Sequence, residues 1–417
     1  MADLTALVPL LADIRPGAKV YVPGATGEPT LLRLALEADP GRAGNVHFTS
    51  CLVPGMNDFD YAALDPTARM TTFLLPPALR NSFEAGRVRV VPLAYSEIAA
   101  YLGQRASFDL AIFHVCPPDS DGCCSVGIAA DFPTLVFGRA LRRVALINWA
   151  MPRPPRGPRM ALSGFDLVIE IDHPVIEGRG AEVTGVTGRI ADHVAALITD
   201  GAAIQTGIGG VPAAVLSRLT NHRGLVLRSG LITEGFAALA EAGALDPAGT
   251  HIAGAAFGSA SFYRDLVNLD LAMFADAKIT HGAASLAGVD RFTSLNGALE
   301  VDLFGQVNSE WLGERLISGA GGAPDFVRAA ARSVGGMSII ALPSTAAGGK
   351  ISRIVPRLSS PTVTISRADI DHVVTEHGVA ILRDLGIEDR AQALIAIADP
   401  EHQAGLAEAW GKLQTRL

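Results

Sequence analysis

Residues 294–310, SLNGALEVDLFGQVNSE, contain a short alternation of apolar and acidic side chains. Apolar residues at 299, 301 and 303 alternate with Glu300 and Asp302. Successive side chains of a β-strand point to opposite faces, so this pattern predicts a strand with both carboxylates on one face. Two interpretations are open: a half-exposed strand whose acids are merely solvated, or a strand that presents Glu300 as a nucleophile.

A pattern of strand, glycine turn and helix occurs twice in the chain. The first copy joins residues 18–23 to a helical pattern through Gly24-Ala-Thr-Gly27, and the second joins residues 202–206 to another through Gly207-Ile-Gly-Gly210. Glycine in the bend and proline near the start of the helix are typical of such a junction. The repeat indicates a duplicated α/β domain.

Between the two copies, short apolar runs alternate with helical patterns. The predicted strands are residues 88–93, 108–115, 143–148 and 167–171. This order favours a mainly parallel sheet with helices on both faces. At 417 residues the chain exceeds one typical core. We therefore predict two tandem, related open α/β domains, residues 1–182 and 183–417, with the active site in the cleft between them.

Composition excludes several classes of protein. Charges, glycines or prolines interrupt each apolar run before about 18 residues, so no membrane span is predicted. Net charge is -8, and the basic residues are dispersed, which argues against nucleic acid and anionic membranes as partners. The four cysteines lack metal-ligand spacing and include an adjacent pair. Free thiols in a reducing cytoplasm are the simplest account, and no metal is predicted.

Four more motifs follow the acidic strand in the C-terminal half. They are SGAGGAPDF at 318–326, SIIALPSTA at 338–346, SRIVP at 352–356 and VTEHGVA at 374–380. With residues 294–308, they resemble the acetyl-CoA hydrolase/transferase family, and within it the class I CoA-transferases of the 4-hydroxybutyrate type. Residues 116–127 and 148–152 resemble the family's N-terminal half less tightly.

The resemblance implies that Glu300 attacks an acyl-CoA and becomes a glutamyl-CoA thioester. A carboxylate suits this role because it is already charged at neutral pH and needs no separate base. Gly378 is expected to support the oxyanion or contact CoA. The resemblance also implies acyl or CoA contacts at other positions: Gly207, Gly209, Thr280, His281, Gly319, Gly321, Gly322, Asp325, Ser344 and Thr345. Alternatively, the glycines and hydroxyls are ordinary turn residues.

Two positions depart from the family's pattern. Residues 228–231 read Arg-Ser-Gly-Leu, where relatives carry His-Thr-Glu-Met. His281 stands where relatives have an asparagine-proline turn. A packed or surface histidine is the commoner role for such a residue. The departures leave Glu300 unaffected but leave the acyl acceptor open.

Three functions follow from this sequence. The first is a CoA-transferase that exchanges CoA between a small acyl-CoA and a carboxylic acid, with the CoA thioester as substrate and no tightly bound cofactor. The second is an acyl-CoA hydrolase that uses the same glutamate. The third is a catalytically silent CoA-binding homologue. A homodimer or higher homo-oligomer is expected from the apolar content.

Overall fold

The computed structural model describes residues 4–178 and 183–415. Up to residue 178 its strands are β1 Lys19–Tyr21, β2 His47–Thr49, β3 Arg69–Thr72, β4 Val88–Val90, β5 Phe108–Val115, β6 Cys123–Ser125, β7 Ala140–Asn148, β8 Arg159–Ala161 and β9 Leu167–Ile171. The helices of this part are α1 Val8–Asp13, α2 Thr30–Ala38, α3 Arg80–Glu84, α4 Tyr95–Ala100 and α5 Pro133–Phe137.

From residue 183 the strands are β10 Ala203–Thr206, β11 Val226–Ile232, β12 Ile252–Ala256, β13 Met273–Phe274, β14 Phe292–Gly297, β15 Glu300–Asp302, β16 Val307–Asn308, β17 Trp311–Leu312, β18 Arg315–Leu316, β19 Met337–Ala341, β20 Thr345–Ala346, β21 Ile351–Ser352, β22 Ile354–Val355, β23 His372–Thr375 and β24 Gly378–Ile381. The helices are α6 Gly185–Leu197, α7 Gly210–Arg218, α8 Glu234–Glu241, α9 Ala260–Leu269, α10 Ala277–Thr280, α11 Ala283–Leu286, α12 Ala323–Arg332, α13 Ile387–Ala396 and α14 Pro400–Gln414.

The described residues group into two compact units. The first contains residues 4–178, Ile252–Thr280 and Ile317–Gly321, and the second contains the remainder. The predicted division between residues 182 and 183 borders residues 179–182, which lie outside the described part of the chain. That division stays a prediction.

The first unit is built on a parallel sheet with the strand order β4-β3-β2-β1-β5-β7-β9. The predicted strands 108–115 and 167–171 match β5 and β9, whereas β7 begins three residues before the predicted 143. In β5 every residue from Leu110 to Val115 is buried, as expected for a strand covered on both faces. In the same unit, β12 and β13 pair in parallel.

The second unit repeats this arrangement. Its strand order is β11-β10-β14-β19-β23-β24, in parallel register except for the final hairpin. Strand β10 lies between β11 and β14, just as β1 lies between β2 and β5. The two strands of the sequence repeat therefore occupy equivalent central positions. The predicted α/β fold with mainly parallel sheets is confirmed.

Helical patterns at the C-terminus form the helices α13 and α14. Leu394 and Trp410 from these helices are buried in a cluster that also contains Val301, Leu303 and Ile354. The cluster fixes the strand that carries Glu300 by burying its apolar face. Among the described residues, none of the helices combines the length and apolar composition that a membrane crossing needs.

Candidate active site

Glu300 begins the three-residue strand β15, which two neighbouring strands hold in place. β15 pairs in parallel with β22, with Val301 opposite Ile354, and antiparallel with β16. Val301 and Leu303 have no exposed surface. Because burial of these side chains fixes the register, the predicted strand is confirmed and the position of Glu300 follows from it.

Four groups donate hydrogen bonds to the Glu300 carboxylate. Oε1 accepts from the Asn308 side-chain amide at 3.2 Å, from the Ser359 N–H at 2.8 Å and from the Ser360 N–H at 3.4 Å. The Ser359 hydroxyl lies 2.9 Å from Oε1 and also 2.9 Å from Oε2. The carboxylate is thus held in one orientation while part of its surface stays open to solvent.

Asp302 has a different environment from Glu300. It is fully buried and accepts from the N–H groups of Phe304 and Gln306 at 3.0 and 2.8 Å and from the Gln306 side-chain amide at 2.8 Å. Burial raises the pKa of Asp302, and these hydrogen bonds oppose the shift. The interpretation of two solvated acids on one face is therefore wrong for Asp302, which serves the turn that follows β15.

A second carboxylate, Glu376, lies buried beside the PST segment. It accepts from the Ser344 N–H at 2.8 Å and from the Ser344 hydroxyl at 2.9 Å. Ser344 O in turn accepts from the N–H of Arg353 at 2.8 Å, and Arg353 O accepts from Val301 N–H at 2.8 Å. A chain of backbone bonds thus connects Ser344 to the strand of Glu300. The Ser344 hydroxyl is already engaged, and its predicted contact with CoA stays a prediction.

Arg353, whose backbone takes part in this chain of hydrogen bonds, has a half-buried guanidinium. Burial lowers its pKa, and the negative charge of Glu376 opposes that shift. Its guanidinium donates to Ala298 O at 3.4 Å. Thr345 begins β20 and pairs with Ser352 of β21, so its backbone is fixed by a short antiparallel ladder.

Gly378 lies at the turn of the hairpin between β23 and β24, opposite Thr375. Its φ of +147° is one that residues with a side chain rarely adopt. His377, in the same turn, lies 3.7 Å from Asp399 and 4.0 Å from Glu376. The backbone conformation of this turn by itself explains why residue 378 is a glycine. The oxyanion role of Gly378 remains a prediction.

Gly207 and Gly209 follow the carboxyl end of β10, where α7 begins. The Gly207 N–H donates to Leu295 O at 3.0 Å and is used within the sheet. Gly209 has φ +117° and precedes the first turn of α7. In open α/β sheets, ligands bind outside the carboxyl ends of strands where the strand order reverses. β10 lies at such a point, which is consistent with the predicted role of this loop.

His281 is enclosed within the second unit. Its ring packs against the Phe326 ring with centroids 4.5 Å apart and the two planes tilted by 44°. A Cβ added at Gly230 would lie 2.6 Å from the His281 ring, and one added at Gly322 would lie 2.5 Å from it. Burial lowers the pKa of His281 to about 3, so the ring is neutral at physiological pH. The two departures from the family pattern are therefore in contact with each other, and the packing interpretation of His281 fits best.

The glycine loop at 319–322 divides between the two units. Gly319 and Gly321 belong to the first unit. A Cβ added at Gly319 would lie 2.5 Å from the Phe73 carbonyl oxygen, so the backbone there leaves no room for a side chain. Gly321 has φ +58° and accepts from the Tyr95 N–H at 3.0 Å. Thr280, also in the first unit, ends α10 and donates to Asp276 O at 3.4 Å.

Gly322 precedes α12 in the second unit, and Asp325 is the third residue of that helix. The helix begins two residues before Asp325, at Ala323. The second unit holds Glu300, Gly378, Gly207, Gly209, His281, Gly322, Asp325, Ser344 and Thr345. Thr280, Gly319 and Gly321 are the predicted residues that it does not hold.

Sequence reasoning missed the partners of Glu300. Asn308 belongs to residues 294–310, but its place in that motif does not show that its amide contacts Glu300. Ser359 and Ser360 lie in an irregular segment after β22, and their signal was a Ser-Ser-Pro turn that follows SRIVP closely. Within the described residues no group of three or more His, Cys, Asp or Glu is placed to hold a metal ion.

Comparison with known proteins gives consistent matches. The model of the acetyl-CoA hydrolase/transferase C-terminal domain matches residues 258–410. The 4-hydroxybutyrate coenzyme A transferase of Clostridium kluyveri is 32% identical over 410 residues, covering 96% of each chain.

Solved structures agree with the sequence matches. A 4-hydroxybutyrate CoA-transferase from Porphyromonas gingivalis superposes with a TM-score of 0.81 at 28% identity, covering 99% of this chain and 97% of that one. RipA from Yersinia pestis gives a TM-score of 0.89 at 26% identity, covering 97% of this chain and 96% of that one.

Proposed function

Because this chain belongs to the acetyl-CoA hydrolase/transferase family, we propose that it is a CoA-transferase that moves CoA between a small acyl-CoA and a carboxylic acid. The observation that carries the proposal is the Glu300 carboxylate, held by four donors on a strand with a buried apolar face. A nucleophile fixed in this way loses little orientational freedom when it reacts.

The reaction proceeds in two half-reactions through an enzyme-bound CoA thioester. Glu300 attacks the acyl-CoA carbonyl, the CoA thiolate leaves, and an acyl-glutamyl anhydride forms. The thiolate then attacks the glutamyl carbon, which releases the first carboxylate and leaves glutamyl-CoA. A second carboxylate repeats these steps in reverse order. Covalent catalysis divides the exchange into easier steps and predicts ping-pong kinetics.

Trapping the thioester tests this proposal. After incubation with acetyl-CoA and no acceptor, borohydride should reduce glutamyl-CoA to an alcohol, and peptide mass spectrometry should locate the change at Glu300. Glu300→Ala should abolish both the adduct and CoA exchange, whereas Glu314→Ala, an exposed acid in the same unit, should behave as wild type. Full exchange activity in Glu300→Ala would refute the proposal.

A hydrolase with the same glutamate is the second candidate, and the name of the matching family model favours considering it. The two differ in how water competes with the acceptor for glutamyl-CoA. Product release should rise with acetate, succinate or a hydroxy acid if the protein is a transferase. Release that does not depend on added carboxylate would assign the hydrolase instead.

A catalytically silent homologue was suggested by the Arg228–Leu231 departure. Packing of His281 against Gly230 gives that departure a structural cause within the second unit. Turnover that depends on Glu300 would exclude the silent homologue.

We also propose a cytoplasmic homodimer or higher homo-oligomer that takes acyl-CoA and carboxylates as its small-molecule partners. All four cysteines are free thiols, which suits a reducing compartment. Sedimentation of the purified protein would establish its oligomeric order, and fractionation of the source cells its compartment.

A further inference from the structure

The donors around Glu300 are distributed unequally between its two oxygens. Oε1 accepts from Asn308, from the Ser359 N–H and hydroxyl, and from the Ser360 N–H, at distances between 2.8 and 3.4 Å. Among the described residues, the bond recorded for Oε2 is the one from the Ser359 hydroxyl at 2.9 Å. Oε2 is therefore the oxygen better placed to attack, since less of its electron density is engaged.

This asymmetry has a consequence for the second step of the proposed reaction. Once Oε2 has formed the anhydride, CoA thiolate attacks the glutamyl carbon and the carbon–Oε1 π electrons move onto Oε1. Collapse of this tetrahedral species breaks the bond between the glutamyl carbon and Oε2. The leaving carboxylate carries Oε2 away, and Oε1 remains as the thioester carbonyl oxygen. The negative charge therefore develops on the oxygen that the four donors surround.

We propose that the segment at Ser359 and Ser360, with Asn308, forms the oxyanion hole for glutamyl-CoA formation, and that the Ser359 hydroxyl is a catalytic donor in it. This inference rests on the proposed function. Donors aimed at a developing charge stabilise the transition state more than the ground state. The Ser359 hydroxyl is 2.9 Å from both carboxylate oxygens and has one hydrogen to donate. It can donate that hydrogen bond to Oε1 as negative charge develops on this oxygen.

Ser359 also suits a test by substitution. Its side chain is exposed, so removing the hydroxyl should cost little stability. Ser359→Ala keeps the backbone N–H donor and deletes only the hydroxyl, whereas Ser359→Thr keeps both. Ser366→Ala is a matched control, because the exposed Ser366 hydroxyl accepts from the Ala368 N–H and is not one of the donors described for Glu300.

The experiment measures steady-state CoA exchange and single-turnover thioester formation with acetyl-CoA. Ser359→Ala should lower kcat and the rate of thioester formation by about 100-fold, the order expected for one oxyanion donor, with KM for acetyl-CoA unchanged. Ser359→Thr should recover most of that loss, and Ser366→Ala should match wild type. Thermal unfolding of each variant shows whether the fold is retained.

Two results would overturn the inference. One is wild-type kcat in Ser359→Ala, and the other is a raised KM with unchanged kcat, which would make Ser359 a binding residue. Either result combined with inactive Glu300→Ala leaves the proposed function standing. Exchange activity that survives Glu300→Ala would instead refute the proposed function itself.

Discussion

The two units share a strand order around a central strand, but the glycine loops after those strands differ. At Gly24 in the first unit, an added Cβ would overlap the carbonyl oxygen of Cys51, and at Gly27 it would lie 3.0 Å from Ala129 Cβ. At Gly207 in the second unit the nearest atoms are 4.0 Å away, and at Gly209 there is nothing within 4 Å. The first loop is closed by packing and the second is open, so the two units share a strand order but differ in the free space at the glycine loop.

The largest effect should come from filling the closed loop. Gly24→Ala places a methyl group on the backbone of Cys51, where no flexible side chain can move aside. We expect a loss of about 3 kcal/mol or more in the free energy of unfolding, at the upper end for overpacking. Urea denaturation measures it, and a change below about 1 kcal/mol would show that this loop can relax.

The equivalent change in the open loop should affect activity instead. Gly207→Ala meets ordinary contact distances and does not require a left-handed backbone, so unfolding should be close to wild type. If acyl-CoA approaches this loop, the methyl group should lower kcat/KM by about tenfold, equivalent to about 1.4 kcal/mol. Unchanged kcat/KM would remove Gly207 from the substrate site and weaken the contrast between the loops.

A smaller effect, on the pH dependence of the free energy of unfolding, is expected from Asp131, the buried acid beside the closed loop. A cavity of about 10 Å³ is lined by Asp131, Cys51, Tyr21 and Gly24, among other residues. Within the part of the chain that the structure describes, the Asp131 Oδ1 atom has no hydrogen-bond partner. Burial raises the pKa of Asp131 to about 7, an effect that the hydrogen bond from Tyr95 opposes and the charge of Asp276 reinforces.

The sign of the resulting pH dependence follows from proton binding. Between the ordinary pKa of 3.8 and about 7 the folded protein keeps a proton that the unfolded chain has lost, so this contribution to stability declines as pH rises through that window. We expect Asp131→Asn to flatten the slope by about 1 kcal/mol per pH unit near pH 6. Unfolding at pH 5, 6, 7 and 8 measures this, and an identical slope in both proteins would contradict it.

Sequence patterns predicted the fold better than the site. Strand β5 is mainly apolar and is buried on both faces from Leu110 to Val115, which a run of apolar residues predicts. Strand β9 alternates instead, with Ile169 and Ile171 buried and Val168 exposed, as expected for a strand covered on one face. Glu300 was identified from the motifs around it, and the buried alternation of Val301 and Leu303 predicted its strand. These features are local in sequence, so residue order alone carries them.

The partners of Glu300 could not be predicted because they come from distant residues. Ser359 meets Glu300 across 59 positions, through the parallel pairing of β15 with β22. The environment of Asp302 could not be predicted either. Its place in the alternating pattern does not indicate that the turn after β15 encloses its carboxylate. The division of the glycine loop at 319–322 between two units is likewise a property of contacts, not of spacing.

The contact between Gly230 and His281 constrains how this protein can change. A larger residue at 230 would strike the imidazole ring, which Phe326 and Gly322 already confine, so the two positions can be altered only together. A larger residue at 230 is therefore expected to need a smaller residue at 281. We expect a library that varies residue 230 alone to yield fewer folded proteins than one that varies residues 230 and 281 together.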